Sequence, residues 1–192
     1  MSLDQTKIVS NTKKYFETAT KFGFMNDELT KFLGNDFIKS PATNMVDNYN
    51  AFEGGLIDHL LRVASYAVKV NSSLPEEERI SQDSLLKVCL LHGIGKAKLF
   101  VPCTSEWHRK NQGKMYEFVD DLTPMRISER SIYYAVSHGI SFSEEEYQAI
   151  LFFDKTDDKM SEFHNSTLGE LLKFASKLAI KHSQKNLKNG TN

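Results

Sequence analysis

The heptapeptide Leu90-Leu91-His92-Gly93-Ile94-Gly95-Lys96 decides the fold of this chain of 192 residues. Apolar residues at helical spacing before it predict a helix over residues 81–92, and Ser81 can cap the free amides of the first turn. Gly93 and Gly95 are predicted to end that helix, because glycine tolerates left-handed backbone angles. The heptapeptide therefore places His92 at the C-terminal end of an apolar helix, directly before a glycine-rich turn.

A second histidine lies in a similar context upstream. The segment Gly54-Gly55-Leu56-Ile57-Asp58-His59 opens a run in which apolar residues recur at helical spacing as far as Asn71. The mostly polar residues 44–54 before it predict a loop. We therefore expect two central helices, over residues 55–71 and 81–92, that each carry one histidine.

The rest of the chain is also predicted to be helical, with one exception. Apolar residues before residue 39 predict two N-terminal helices. Trp107 and the apolar residues among 115–119 flank the polar residues 110–114, which predicts a β-hairpin with a polar turn. The sequence thus predicts a single all-α domain over residues 1–192, a helical bundle with one small β-hairpin insertion, in which residues 1–39 are N-terminal helices and residues 40–183 form the core.

Serine and threonine residues mark the starts of the later helices. Their side-chain oxygens can accept hydrogen bonds from free backbone amides, and a glutamate three residues on completes a capping box. The predicted starts are Ser128, Ser143 with Glu146, and Thr167 with Glu170. Residues 184–192 are polar and are expected to form a flexible tail.

Composition and charge argue against several classes of protein. The 24 Lys and Arg residues nearly balance the 25 Asp and Glu residues, so a surface that binds nucleic acid over its whole extent is not expected. No apolar run approaches the roughly 18 residues that a membrane span needs, and no secretory signal opens the sequence. Cys89 and Cys103 then indicate free thiols in a reducing compartment. We expect a cytoplasmic protein that does not bind membranes, located in the host cytoplasm if its source is viral.

The two histidine motifs together resemble those of the HD superfamily of metal-dependent phosphohydrolases. The likeness is carried by Gly54-Gly55-Leu56-Ile57-Asp58-His59 paired with Leu91-His92-Gly93-Ile94-Gly95-Lys96, and it extends over residues 40–181. Within the superfamily the sequence is similar to small bacterial and phage HD-domain proteins. The resemblance implies an HD-like helical bundle built around a cleft for divalent metals.

The ligands that the resemblance implies are mostly missing. In HD enzymes a first His, a His-Asp doublet and a distant Asp, often with two further His, bind one or two metals. The resemblance places the first two on His59 and His92, but Gly93 stands where the doublet has its carboxylate. The other remnant metal-site positions carry Ile127, Phe153 and Ser176. Two imidazoles without carboxylates form a poor site for Mg, Mn or Fe, so we expect no bound metal and assign no catalytic residue.

These losses favour a degenerate HD-domain protein, a pseudoenzyme, over an enzyme. The leading hypothesis is a non-catalytic binding or regulatory module for a nucleotide or other anionic ligand, or for a protein partner, with no cofactor. The alternative is a metal-dependent phosphohydrolase acting on nucleotides or phosphodiesters. There, His59 and His92 would bind Mn, Fe, Ni or Zn, and a neighbour such as Asp58 or Asp154 would replace a lost carboxylate. Asp58 itself is expected to face solvent, and a purely structural role for the chain is a third hypothesis.

A local excess of basic residues suggests where an anion would bind. If the hairpin folds over the cleft, these side chains would contact phosphate, and Trp107 or Tyr116 would stack on a base of a nucleotide or a nucleic-acid end. The competing interpretation is a solvated surface, which is the usual role of such a charge run. The candidate anion-binding residues are Lys96, Arg109, Lys114 and Arg130.

Overall fold

The fold is a bundle of helices with a two-stranded sheet, as the sequence predicts. The computed structural model describes residues 3–155, 159–160 and 164–189, with side chains as far as residue 187. The strands β1 (Phe100–Pro102) and β2 (Tyr116–Phe118) pair antiparallel. The helices with defined bounds are α1 (Gln5–Lys21), α2 (Asp27–Lys39), α3 (Gly55–Ser72), α4 (Gln82–Leu91), α5 (Glu106–Gln112), α6 (Ile127–Ser137), α7 (Glu144–Leu151) and α8 (Thr167–Asn189).

Helix α3 lies at the centre of the bundle and packs against α1, α2, α4 and α8. Its residues Leu56, Leu60 and Val63 are fully buried, as the apolar periodicity predicts. A side chain on Gly55 would collide with the backbone carbonyl of Asn50. The loop of residues 44–54 therefore lies directly against the first turn of α3, the turn that leads to His59.

Helix α1 is joined to the far end of α4. The ring of Tyr15 is fully buried, and its hydroxyl donates a hydrogen bond to the carbonyl oxygen of Leu90 at 2.8 Å. That carbonyl lies in the last turn of α4, where the helix itself provides no donor. The N-terminal helices thus complete the core rather than extend from it.

Glycines lie in the turn after α4 as predicted, but the structure gives a different reason for them. The φ angle of Gly93 is −110°, and Gly95 is not among the residues with positive φ, so left-handed backbone is the wrong explanation. At Gly95 the constraint is space. A Cβ atom there would lie 2.6 Å from the carbonyl oxygen of Ile127 and 2.9 Å from the amide nitrogen of Ser131, both in α6. The turn approaches α6 more closely than a residue with a side chain permits.

Ser131 fixes the contact between this turn and α6. Its hydroxyl accepts a hydrogen bond from the amide of Gly95 at 2.9 Å and donates one to the carbonyl oxygen of His92 at 2.8 Å. All three groups are buried, and an unpaired backbone group in such a place costs about 1–3 kcal/mol. One side chain therefore satisfies both ends of the turn.

The hairpin region is confirmed as a small antiparallel pair, but its first strand is not where the sequence placed it. Phe100 pairs with Phe118, and Pro102 pairs with Tyr116. Residues 106–112, which include the first three residues of the predicted polar turn, form α5 instead. Ser105 caps this helix through a bond from the amide of His108 at 3.3 Å, and Gly113 ends it with a φ of 64°. These two boundary residues favour a short helix over a β-turn.

The predicted helix starts are confirmed at Ser81 and at Ser143, which forms its capping box with Glu146. Ser128 is not a cap, because α6 begins at Ile127 with Arg126 as its N-cap. In α8 the amide of Gly169 bonds to the hydroxyl of Ser166, not to that of Thr167.

Helix α8 continues to Asn189, beyond the end predicted near residue 183. The expected flexible tail is therefore helical over residues 184–189, and residues 190–192 lie outside the described part of the chain.

The spacing of the turn from α6 predicts different effects for two neighbouring substitutions. We expect Gly95→Ala to lower the free energy of unfolding by about 2 kcal/mol or more, because its methyl group meets rigid backbone atoms. Gly93→Ala is the matched control, since its methyl group meets only the ends of two leucine side chains, Leu60 at 3.0 Å and Leu56 at 3.5 Å, and should cost less than about 1 kcal/mol. Urea denaturation of both variants measures the difference. Equal losses would contradict the close approach of the turn to α6.

Candidate functional site

Four aromatic rings in a row form the centre of the candidate site. His59 of α3 and His92 at the end of α4 have ring centroids 6.3 Å apart. The Tyr49 ring, from the loop before α3, lies 4.7 Å from His59, and the Phe153 ring, after α7, lies 4.4 Å from His92. Each histidine is 2% exposed. The two imidazoles thus meet as the sequence predicts, but between two other rings.

Burial keeps both imidazoles neutral at pH 7. It lowers the pKa of His92 from 6.5 to about 4, and the positive charge of Lys96 acts in the same direction. Burial also lowers the pKa of His59 well below 6.5, with further contributions from His92 and Lys96. The site therefore carries no imidazolium near neutral pH.

The ring nitrogens have different partners. Nδ1 of His92 lies 2.9 Å from the carbonyl oxygen of Cys89. Because a carbonyl only accepts, this bond places the hydrogen of the neutral ring on Nδ1 and leaves Nε2 as an acceptor. Nδ1 of His59 is buried and has no hydrogen-bond partner among the described residues.

A cavity of about 20 Å³ adjoins the row of rings, which is room for about one water molecule. It is lined by five of the six remnant metal-site positions, together with Tyr49, Leu56, Leu60 and Lys96. The sixth position, Ser176, is buried on α8 but is not among the lining residues. The lining positions that the resemblance singled out are His59, His92, Gly93, Ile127 and Phe153.

The residues around this cavity do not fit a hydrolytic metal site. None of the described lining residues is a carboxylate, and the ammonium group of Lys96 adds a positive charge that disfavours a cation. A Cβ atom on Gly93 would lie 3.0 Å from Cδ2 of Leu60 and 3.5 Å from Cδ1 of Leu56. Leucine side chains thus fill the space that a carboxylate at this position would need. Mg and Mn favour carboxylate ligands, and iron sites with two histidines usually add a carboxylate, which the described lining residues do not provide.

Asp58, considered as a replacement ligand, already has hydrogen-bond partners. The expectation that it faces solvent is wrong. The carboxylate is buried and forms an ion pair with Arg62 at 3.1 Å in the next turn of α3. It joins α1, the loop before α3, and α3 itself. Its three hydrogen-bond donors are the side chains of Asn11, Asn50 and Arg62.

Asp154, the other replacement considered, stabilises the first turn of α6. Its carboxylate accepts hydrogen bonds from the amide and the hydroxyl of Ser128, at 3.0 Å and 2.6 Å. A carboxylate at a helix N-terminus is favoured by the helix dipole. These bonds account for both of its oxygens without a metal.

Two of the predicted anion-binding residues have internal partners. Lys96 Nζ donates a hydrogen bond to the carbonyl oxygen of Ala42 at 2.6 Å. Arg130 is buried, and its Nη2 donates to the carbonyl oxygen of Thr123 at 2.6 Å. Both contacts tie loops to the core, which is a structural role for each cation.

The other two predicted anion-binding residues belong to the hairpin region. Lys114 forms an ion pair with Glu117 at 3.3 Å. Arg109 is exposed in the last turn of α5. A shared anion site formed by Lys96, Arg109, Lys114 and Arg130 remains a prediction.

Three residues that shape the site are not predicted from the sequence: Tyr49, Leu60 and Ser131. Tyr49 lies in a segment whose polar composition predicts only a loop, and Ser131 lies in mid-helix, where serine has no distinctive pattern. Leu60 fits the apolar face of α3, and its contact with Gly93 depends on how two helices pack. Only the tertiary structure places these three side chains beside the histidines.

Comparisons with known proteins assign no family to this chain. No family model, curated protein or solved structure matches it. The resemblance to the HD superfamily therefore remains an inference from the two histidine motifs.

Within the described ranges, no helix is both long and apolar enough to cross a bilayer. Cys89 and Cys103 are buried and unpaired, in agreement with the predicted free thiols.

The lowered pKa of His92 predicts a specific loss of stability in acid. The unfolded chain binds a proton near pH 6.5, whereas the folded chain binds it only near pH 4. The contribution is therefore fully present above pH 6.5 and is lost as the pH falls from 6.5 towards 4, by up to about 1.4 kcal/mol per pH unit. We expect His92→Gln to reduce the difference in unfolding free energy between pH 7 and pH 5 by about 2 kcal/mol.

Urea denaturation at the two pH values measures this difference within each variant. The exposed His164 provides the control, and His164→Gln should keep the pH dependence of the wild type. Identical pH dependence in the wild type and in His92→Gln would show that His92 is accessible to protons in the folded state.

Proposed function

We propose that this chain is a degenerate HD-domain protein that acts as a non-catalytic module and binds a protein partner. The observation that carries the proposal is the filled cleft at His59 and His92. Its cavity of about 20 Å³ is too small for a phosphate ester, and its described lining residues include no carboxylate. The cleft has no room for a substrate, and its described lining has no carboxylate to bind a metal. We therefore infer that the chain binds its partner at the surface.

The side chains packed around Gly93 indicate that the cleft differs from a metal site by more than one residue. Restoring a carboxylate there would require Leu60 and Leu56 to move, since a Cβ atom would already contact both. The carboxylate would also enter an apolar environment in which both imidazoles are neutral. Several residues would have to change together for a metal to bind, which argues against the phosphohydrolase alternative.

An apolar groove on the outer face of α6 and α7 is the surface that we assign to the partner. Tyr133 and Val136 are 58% and 53% exposed, which is unusual for large apolar side chains on a solvated helix face. The groove has a volume of about 450 Å³. Its apolar lining residues are Met125, Ile132, Tyr133, Val136, Tyr147 and Leu151.

The chemistry of the groove indicates what kind of partner it binds. Exposed tyrosines provide large apolar contacts with a polar group at the tip, as in many protein interfaces. Glu129 also lines the groove, and Glu144 lies one helical turn before Tyr147 on the same face of α7. An apolar floor with acidic residues at its edge fits an amphipathic helix that carries basic side chains.

The first test concerns catalysis. We expect the wild type to show no Mn-dependent phosphatase or phosphodiesterase activity above that of His92→Ala. Gly93→Asp should also remain inactive, because Leu60 blocks the space beside the new carboxylate. Chromogenic phosphomonoester and phosphodiester substrates, assayed with added Mn, measure both variants. Activity in the wild type that His92→Ala abolishes would establish the phosphohydrolase alternative.

The second test concerns the groove. We expect a synthetic amphipathic helix with leucines on one face and lysines on the other to bind saturably to the wild type, and Val136→Asp to weaken binding at least tenfold. The matched control is Val9→Asp, which changes another exposed valine, 66% accessible and located on α1. Fluorescence anisotropy of the labelled peptide measures the affinity.

A peptide in which glutamates replace the lysines should bind more weakly, because it would meet the acidic residues of the groove. Loss of binding that is equal in Val136→Asp and Val9→Asp, or absence of saturable binding by the wild type, would exclude the groove as the binding surface.

A further inference from the structure

Three side chains with metal-binding chemistry converge in the hairpin region, and none of them lines the cavity at His59 and His92. Cys103 follows β1, His108 lies on α5 and Glu117 lies in β2. One ligand atom from each of the three lies within 4.8 Å of those from the other two. No other group of three or more His, Cys, Asp or Glu residues in the described part of the chain meets this condition.

We propose that Cys103, His108 and Glu117 bind a zinc ion, with a fourth position left for water. A thiolate, an imidazole and a carboxylate are the three ligand types that proteins use for zinc, and a soft sulfur ligand disfavours Mg and Ca. This proposal departs from the expectation of no cofactor, which rested on the HD-like cleft alone. It does not depend on the proposed function.

The spacing of the ligand atoms is close to that of a tetrahedral site. With a Zn–S bond of about 2.3 Å and a Zn–O bond of about 2.1 Å, tetrahedral geometry separates the sulfur from the oxygen by roughly 3.6 Å. The observed distance between Sγ of Cys103 and Oε1 of Glu117 is 3.4 Å. These two ligands therefore need little movement, and a ring nitrogen of His108, which lies within 4.8 Å of both, must come closer to reach the metal.

The imidazole of His108 provides a second, independent observation in favour of a bound metal ion at this position. Its Nδ1 atom is buried and has no hydrogen-bond partner among the described residues. The backbone at this position is fixed, because the amide of His108 bonds to Ser105 and its carbonyl oxygen accepts a bond from the amide of Lys114 at 3.2 Å. A held backbone and an unpaired ring nitrogen are suited to a metal ligand.

Cys103 and Glu117 are also prepared for a cation. Cys103 is 3% exposed, so its sulfur is protected from bulk solvent. The Glu117 carboxylate lies 3.4 Å from Sγ of Cys103 and forms an ion pair with Lys114 at 3.3 Å. On binding, zinc would replace the thiol hydrogen, and one proton per ion would pass to the buffer. Lys114 pairs with the same carboxylate oxygen, Oε1, so its ammonium group would have to move to the second oxygen when zinc binds.

Zinc would join three elements that otherwise share few strong contacts. The strands β1 and β2 contain three residues each, and a two-stranded sheet of this length is marginally stable alone. Helix α5, with seven residues, has no buried residue. One ion bound by Cys103 next to β1, by His108 of α5 and by Glu117 of β2 would hold the hairpin and α5 together.

The experiment uses the full-length chain after removal of metals with a chelator. Titration with Co²⁺, a spectroscopic substitute for zinc, should give one equivalent of binding with thiolate-to-cobalt charge-transfer absorption and the d–d bands of a tetrahedral site. Zinc should then displace the cobalt and raise the melting temperature of the protein. The charge-transfer band should disappear in Cys103→Ser, and the affinity should fall at least tenfold in His108→Gln and Glu117→Gln.

Two controls make the result specific. Cys89→Ala removes the other thiol and should leave the charge-transfer band unchanged, as should His92→Gln in the cleft. Circular dichroism verifies that each variant is folded, and the two glutamine variants carry the test if Cys103→Ser does not fold. Absence of saturable binding, or a charge-transfer band that persists in Cys103→Ser, would overturn the zinc site. Neither result bears on whether the cleft is catalytic.

Discussion

The structure depends on the close contact between the turn after α4 and the first two turns of α6. A glycine at position 95 allows the backbones to touch, and the Ser131 hydroxyl bonds to both the amide of Gly95 and the carbonyl oxygen of His92. This contact sets the distance of His92 from Ile127 and from Phe153. A wider separation of the turn and α6 would open the cleft, so the narrowness of the cavity follows from backbone packing as well as from side-chain size.

The row from Tyr49 to Phe153 gives the two histidines a structural role. Each imidazole is neutral and contacts an aromatic ring, so both behave as flat, weakly polar core residues. Lys96 contributes by its charge, which opposes protonation of both rings, and by its bond to Ala42, which holds the loop that carries Tyr49. In an HD enzyme we would expect the same positions to be polar and open to solvent. Here they support the interior of the protein.

The amino-acid sequence predicts the two central helices well, because the apolar periodicity of α3 and α4 is long and regular. It does not predict the partner of β2, since three-residue strands have no periodicity to detect, and the residues before Gly113 fit a turn as well as a helix. Gly93 and Gly95 illustrate the same limit for the site. Their positions follow from the sequence, but the atoms that exclude a side chain there belong to α3 and α6. The sequence places Asp58 in solvent because two of its three donors, Asn11 and Asn50, are brought to it only by folding.

The bond from Tyr15 to Leu90 has a consequence for the way the chain folds. It joins residues 75 positions apart and closes the end of α4 with a group from α1. Asn11 makes a second link of this kind to Asp58, 47 positions away. Contacts of such long range form late and bind distant segments into one cooperative unit. Helix α1 is therefore part of the same cooperative unit as α3 and α4, and α4 should acquire its final stability only when α1 has docked.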